Sequence, residues 1–316
     1  MTDDRELRAR LSVAKRARGF GGLLWATILK FFGDDCSTMA AALSFYTFFS
    51  LPALLTLLLT IAGRVMDPVK VQTAIVGQVG KLIGEAGAGQ VSTILVHASR
   101  SDGTASLATL LSLLALISGA TATFSQLQSA LNRVWRVKPD PRRNQIKVFL
   151  TKRIFSFGLV ITVAFLLLVS LALSTALTAA ATRWTGSLSG GTVLMETLTS
   201  VVGFILIAVL FAFMFRYLPD ARIAWRDVRA GALGSALLFV LGKTGIGLYL
   251  GSSDPGKAYG AAGALAIVLI WVYYTAMVLL LGAEFTEQWA ERLGRGVRPD
   301  KGAISYVEEE RKVSTG

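Results

Sequence analysis

The sequence predicts an all-α polytopic membrane protein: a bundle of six transmembrane helices with an N-terminal interfacial helix and a short helical outer segment. The 316-residue chain is 53% hydrophobic and only 16% charged, whereas an ordinary soluble domain has about 25% charged residues. Six apolar runs are each long enough to cross a hydrocarbon core of roughly 30 Å as a helix. The Lys and Arg residues concentrate in every second loop, which is typical of a membrane protein with a fixed orientation.

The predicted spans cover residues 39–62, 107–131, 154–181, 193–217, 228–250 and 260–282. Of the 32 Lys and Arg residues, 25 lie in residues 1–30, 133–153, 216–229 and 292–312, that is, near the two termini and around the loops after the second and fourth spans. Because cations near span ends are retained in the cytoplasm, we expect both termini and the loops 132–153 and 218–227 to face the cytoplasm.

The net charge of +12 then faces the lipid bilayer and its anionic lipids. A nucleic-acid partner is not expected, because the sequence contains no basic soluble domain with stacking aromatics that could hold a strand.

Residues 1–33 are predicted to form a cytoplasmic basic arm and an interfacial amphipathic helix. The apolar segment 20–32 contains Lys30 and is followed by Gly33-Asp34-Asp35 rather than by a small-residue cleavage site, which argues against a signal peptide. Trp25 would then lie at headgroup depth.

Residues 34–289 form the predicted six-span domain, with an outer helical segment at about residues 63–106. Apolar residues keep helical spacing on both sides of the glycine-rich stretch 84–89, so we expect two short amphipathic helices with a flexible break between them. The tail 290–316 is polar and charged, and we expect it to be poorly ordered.

The single Cys36 and the single His97 exclude a disulfide framework and a Cys/His metal cluster. The sequence contains no phosphate-binding glycine loop and no G-x-S-x-G or H-E-x-x-H motif. We therefore expect no enzymatic activity, no cofactor and no metal, with intramembrane carboxylate chemistry left open.

Polar and ionisable residues inside the spans are candidates for a substrate path, because charge at membrane depth is costly. They are Tyr46, Gln126, Gln128, Asn132, Lys243, Tyr249, Tyr274 and Glu284. Gln128 and Asn132 share a helical face and either lock helices together or line a path. Lys243 lies among glycines that permit close backbone approach and local unwinding, and it either extends to the outer interface or faces a polar cavity. Glu284 is expected to be an interfacial carboxylate paired with a loop arginine.

Small residues spaced four apart, as in Gly231-x-x-x-Ser235, cluster around the fifth span. This pattern predicts that the fifth span is the central helix or a dimer seam. A homo-oligomer is left open.

Three stretches resemble the YihY/BrkB family of bacterial inner-membrane proteins, formerly labelled ribonuclease BN. They are Met39-Ala-Ala-Ala-Leu-Ser-Phe-Tyr-Thr-Phe-Phe-Ser-Leu-Pro52, then Tyr217-Leu-Pro-Asp with Trp225-Arg-Asp and Gly231-Ala-Leu, and finally Tyr249-Leu with Tyr259-Gly-Ala-Ala-Gly-Ala and Leu281-Gly-Ala-Glu284. The resemblance covers about residues 20–290. It implies a six-helix inner-membrane protein that acts as a transporter or efflux component, with one member linked to resistance to serum killing. We reject the ribonuclease label, because RNA hydrolysis usually needs metal-binding residues or an acid/base pair in a water-filled cleft.

Two hypotheses follow. In the first, the protein transports an unknown small solute, ion or lipid without ATP, through a polar cavity between the second, fifth and sixth spans. In the second, it is a nonenzymatic envelope scaffold or lipid-organising protein, whose polar residues serve helix packing.

Overall fold

Helices make up most of the structure, in agreement with the predicted class, and four short strands accompany them. The computed structural model describes residues 19–62, 67–99, 107–142, 191–253, 261–293 and 296–307. Its helices are α1 (Phe20–Gly33), α2 (Cys36–Ala62), α3 (Pro68–Ser99), α4 (Leu107–Val134), α5 (Gly191–Tyr217), α6 (Trp225–Ser253) and α7 (Ala261–Arg292). Its strands are β1 (Val137–Pro139), β2 (Ala221–Arg222), β3 (Arg298–Pro299) and β4 (Ala303–Ser305).

Five of the six predicted spans coincide with helices: α2, α4, α5, α6 and α7. Their ends agree to within three residues, except that α7 continues to Arg292, well past the predicted end at residue 282. The third predicted span, 154–181, lies outside the described residues. Within the part of the chain that the structure describes, two helical segments are apolar and long enough to cross a membrane, Ser200–Tyr217 and Ala266–Arg292. The count of six spans therefore stays a prediction.

Among the described helices α7 is the central one, since it packs against α1, α2, α3, α4 and α6. In this part of the chain the fifth predicted span is not central, because α6 packs chiefly on α5 and α7. An apolar core lies between the helices, with Leu131, Phe215 and Leu280 fully buried.

Small residues do bring α6 close to another helix, but the partner is α7 of the same chain. A Cβ atom at Gly231 would overlap Thr286 Oγ1, and a Cβ at Gly282 would overlap Ser235 Oγ. Farther along, a Cβ at Gly242 would overlap the ring of Tyr274. The α6–α7 seam therefore depends on these glycines, as the small-residue pattern indicated.

The outer segment is helical from Pro68 to Ser99, including the glycine-rich stretch. It is not one straight helix, however. A Cβ at Gly80 would lie 3.4 Å from the Cβ of Ala88, whereas eight residues of straight helix rise about 12 Å. The chain must therefore turn back between these two positions, where Gly84 and Gly87 lie.

The C-terminal segment is ordered by pairing with two loops, so the prediction of a poorly ordered tail was wrong for residues 296–307. Strand β4 pairs antiparallel with β1, and β3 pairs antiparallel with β2. The Nε of Arg222 donates to Asp300 Oδ1 at 2.6 Å, and this hydrogen bond lowers the pKa of the Asp300 carboxyl. The basic loops after α4 and α5 and the C-terminal segment thus lie together at one end of the bundle, which we call the basic end.

Candidate functional site

A group of buried ionisable side chains lies at the basic end, where α7 meets the corner between α1 and α2. We define the carboxyl cluster as Asp34, Glu284 and Glu287, with Lys30 and Cys36 beside it. Glu284 and Glu287 are 0% and 3% exposed. Carboxylates are almost never this buried unless they are paired, so we expect Glu284 and Glu287 to have partners nearby.

The chain positions the cluster through a tight corner and through helical spacing. Helix α1 ends at Gly33, and Asp35 has a φ of 54°, a left-handed conformation that Asp tolerates in turns. This corner places Asp34 and Cys36 beside α7. Glu284 and Glu287 are three residues apart, so they lie on one face of α7.

Glu284 is not paired with a loop arginine as predicted. Its Oε1 accepts a hydrogen bond from Cys36 Sγ at 3.6 Å, and its carboxyl lies within hydrogen-bond reach of the Asp34 carboxyl. The prediction failed because it placed Glu284 at a solvated interface, whereas α1 and α2 cover this part of α7. Asp34 Oδ2 and Glu284 Oε2 are both buried and have no hydrogen-bond partner among the described residues.

Glu287 forms an ion pair with Lys30 of α1. It also accepts a hydrogen bond from Gln288 Nε2 at 3.0 Å. Nearby, Arg133 NH2 donates to Asp35 Oδ2 at 3.1 Å, with both side chains more than a third exposed. The Lys30–Glu287 pair therefore joins α1 to α7, and the Arg133–Asp35 pair joins α4 to the corner.

Gln128 and Asn132 form a second polar contact at this end, on the loop after α5. Asn132 Nδ2 donates to Asp220 Oδ2 at 2.8 Å, and its Oδ1 accepts from the Asp220 backbone N–H at 2.8 Å. Gln128 Nε2 donates to Asp220 Oδ1 at 3.3 Å. The three residues fasten α4 to the loop between α5 and α6, and we call them the Asp220 latch.

The other candidate path residues are distributed along the bundle. The hydroxyl of Tyr274 donates to the carbonyl of Leu238 at 2.6 Å, which ties α7 to α6. Lys243 and Tyr46 are exposed, and Gln126 is partly buried. Helix α6 runs without interruption through the glycines around Lys243.

Of the eight candidate path residues, Glu284 thus lies in the carboxyl cluster, Gln128 and Asn132 lie in the Asp220 latch, and Tyr274 lies at the contact between α6 and α7. Tyr274 lies ten residues before Glu284, about 15 Å along α7. The side chain of Tyr249 lies outside the part of the structure that is described, and the role of all these residues in a path stays a prediction.

Comparison with known proteins settles the family. The sequence model described as "Virulence factor BrkB" matches residues 27–303 of this chain. The chain belongs to the BrkB family. The resemblance that the sequence motifs indicated is therefore confirmed, and this chain is an integral membrane protein like its bacterial relatives.

A UPF0761 membrane protein of Alkalilimnicola ehrlichii is 32% identical to this protein over 265 residues, which cover 83% of this chain and 56% of the relative. A UPF0761 membrane protein of Ralstonia nicotianae is 29% identical, over 79% of this chain and 54% of the relative. The UPF0761 membrane protein YihY of Salmonella typhimurium is 32% identical, over 54% of this chain and 56% of the relative. The chain thus spans about half the length of these relatives. No solved structure matches it significantly.

The sequence patterns do not predict the other members of the carboxyl cluster or its lysine. Lys30 and Asp34 argue there only against a signal peptide, and no pattern singles out Glu287. One signal could have found them. Lys30 is the only cation in an otherwise apolar helix, and a cation there requires a nearby acidic partner. Lys30 and its partner Glu287 are separated by 257 positions in the sequence. Local sequence patterns therefore give no information about which acid pairs with Lys30.

Proposed function

We propose that this protein is a nonenzymatic transporter or efflux component of the bacterial inner membrane, which moves a small solute, ion or lipid without ATP. The carboxyl cluster is the observation that carries the proposal. A charged side chain inside a membrane helix costs about 3 kcal/mol on insertion scales, and such residues usually mark a binding site or an ion path. The cluster contains three acids against the single ammonium of Lys30, which is more charge than a purely structural pair requires.

The basic end is proposed to face the cytoplasm, with a six-span bundle between it and the outer segment. Support comes from the pairing of β1 with β4 and of β2 with β3, which collects the basic loops and the C-terminal segment at one end. Cations gathered at one end are typical of the cytoplasmic side. The exposed apolar face of α1, with Leu24, Trp25 and Ile28, supports contact with lipid at that surface.

A scaffold or lipid-organising role is the second candidate, and the Asp220 latch favours it. Gln128 and Asn132 make contacts that fasten the bundle, and Tyr274 does the same between α6 and α7. Polar residues that are fully used in such contacts serve packing. On this view the protein presents a closed bundle to lipid or to a partner.

Flux measurements on the full chain in liposomes separate the two candidates. The probes are H⁺, Na⁺ and K⁺ followed with entrapped dyes, together with a fluorescent phospholipid whose movement between leaflets is measured. Transport predicts that at least one probe crosses at least tenfold faster than in protein-free liposomes. It also predicts that Glu284→Gln alters that rate at least tenfold.

The matched control is Glu291→Gln, which removes an exposed carboxylate from the same helix. Lys243→Met tests the predicted path in parallel, since it keeps the length of the side chain and removes its charge. Rates equal to those of protein-free liposomes for all probes would refute transport and favour the scaffold. If Glu284→Gln transports the probe at the native rate, the carboxyl cluster takes no part in transport.

A further inference from the structure

The carboxyl cluster holds two acids against each other. The carboxyl of Asp34 lies within hydrogen-bond reach of Glu284, and one buried oxygen of each has no donor among the described residues. Two ionised carboxylates cannot donate to one another, and their like charges repel strongly away from water. A hydrogen bond between two carboxyls requires a proton on one of them.

None of the charged groups around the pair donates a hydrogen bond to Asp34 Oδ2 or to Glu284 Oε2 among the described residues. The titratable groups that face the pair from the packed elements are Lys30 on α1, Asp35 in the corner, Cys36 on α2, Arg133 on α4 and Glu287 on α7. Lys30 is engaged by Glu287, and Arg133 donates to Asp35. The thiol of Cys36 donates to Glu284 Oε1, which leaves Oε2 of the same carboxyl without a donor.

We infer that Asp34 and Glu284 form a proton-binding site, in which one proton is shared between the two carboxyls and holds the α1–α2 corner against α7. Removing this proton leaves two adjacent negative charges in a buried place, so the corner and α7 repel each other. Binding it restores the hydrogen bond and closes the contact. The site thus senses pH at the basic end of the bundle.

The further step, that this proton is the coupling ion, rests on the proposed transport function. Proton binding itself does not rest on it. The two claims can therefore fail separately, and separate measurements address them.

Infrared difference spectroscopy on the purified full chain in nanodiscs tests proton binding directly. The spectrum near neutral pH is expected to contain the C=O stretch of a protonated, buried carboxyl, which disappears as the pH is raised. Glu284→Gln and Asp34→Asn should each abolish that band, because each removes one member of the pair. The control Glu291→Gln should keep it, since this carboxyl is exposed on the same helix.

A native spectrum without this band, or a band that survives in either variant, would overturn the proposal. The spectra are recorded in sodium and in choline buffer at the same pH. A band that sodium removes would mean that a cation and not a proton occupies the site, and this too would overturn it. If one variant does not fold, the other suffices, because the two carboxyls are neutralised independently.

Thermal unfolding provides a second readout. The folded pair holds a proton that the separated carboxyls of the unfolded chain release, so stability falls as the pH rises. This fall should be absent in Glu284→Gln, which mimics the protonated form, and present in Glu291→Gln. A fall of equal size in both variants would contradict the shared proton. If the infrared band is present and no probe crosses the membrane, the shared proton is supported and transport is refuted. If a probe crosses but the band is absent, transport is supported and the shared proton is refuted.

Discussion

Replacing Gly231 by Ala tests whether the α6–α7 seam holds the bundle together. A Cβ at Gly231 would overlap Thr286 Oγ1 and would lie 2.7 Å from the carbonyl oxygen of Gly282. The Thr286 hydroxyl itself donates to that carbonyl at 2.7 Å. The side chain of Thr286 could rotate away, but the carbonyl belongs to the backbone of α7 and moves only if the two helices separate.

The expected cost follows from three contributions. Forcing a methyl group into a packed interior typically costs about 1–3 kcal/mol. Rotating Thr286 breaks its hydrogen bond, which adds about 1 kcal/mol. Alanine gains about 0.5–1 kcal/mol over glycine inside a helix, which offsets part of this cost. The net loss of stability for Gly231→Ala is about 1–3 kcal/mol.

Gly234 provides the matched control, because it lies on the same helix and a Cβ there would meet nothing within 4 Å. Gly234→Ala should leave the bundle as stable as the native chain or slightly more stable. Thermal unfolding in one detergent, followed by circular dichroism, compares the variants. For a protein of this size, about 2–4 °C of melting temperature corresponds to 1 kcal/mol. Equal melting temperatures for the two alanine variants would refute the reasoning, since the helix-propensity gain is common to both.

The other predictions concern the basic end. Asn132→Ala should lower the free energy of unfolding by about 1–3 kcal/mol, because it removes two hydrogen bonds, one to the carboxylate of Asp220 and one from its backbone N–H. Gln128→Ala should cost less in the same thermal assay, since its single hydrogen bond is 3.3 Å long; the opposite ranking would contradict this account of the latch. Arg222→Gln should raise the pKa of Asp300 towards its ordinary value, as measured by NMR titration of that carboxyl. Because the pKa of Asp300 is lowered in the folded chain, the small stabilisation from this exposed pair is present above the unfolded pKa and is lost as the pH falls through the folded pKa.

The sequence predicted the helices well because long apolar runs leave few alternatives in a membrane. It also indicated that Gly231 and Ser235 mark a close approach, but a small-residue pattern contains no information about which helix approaches. The tail was misinterpreted for a related reason. Strands β3 and β4 have two and three residues, too few to show an alternating pattern, and they are ordered by partners far away in the sequence. The carboxyl cluster was missed because its members are distributed over α1, the corner and α7, and each residue alone has an ordinary explanation.

The two sides of α7 differ in what they can tolerate. Towards α6, the helix is held by close contacts at glycines that leave no room for a methyl group. This packing depends on shape and not on charge. Towards the α1–α2 corner, it is held by the Lys30–Glu287 pair and by the carboxyls of Asp34 and Glu284, whose attraction depends on charge. A change in protonation alters the second contact directly and leaves the first unchanged, since the close packing at the glycines does not respond to a proton. Movement driven by pH should therefore displace α1 and the corner while α6 and α7 stay together. Distance measurements between spin labels placed on α1 and α7, compared with labels on α6 and α7, would show this asymmetry, and equal displacement of both pairs would contradict it.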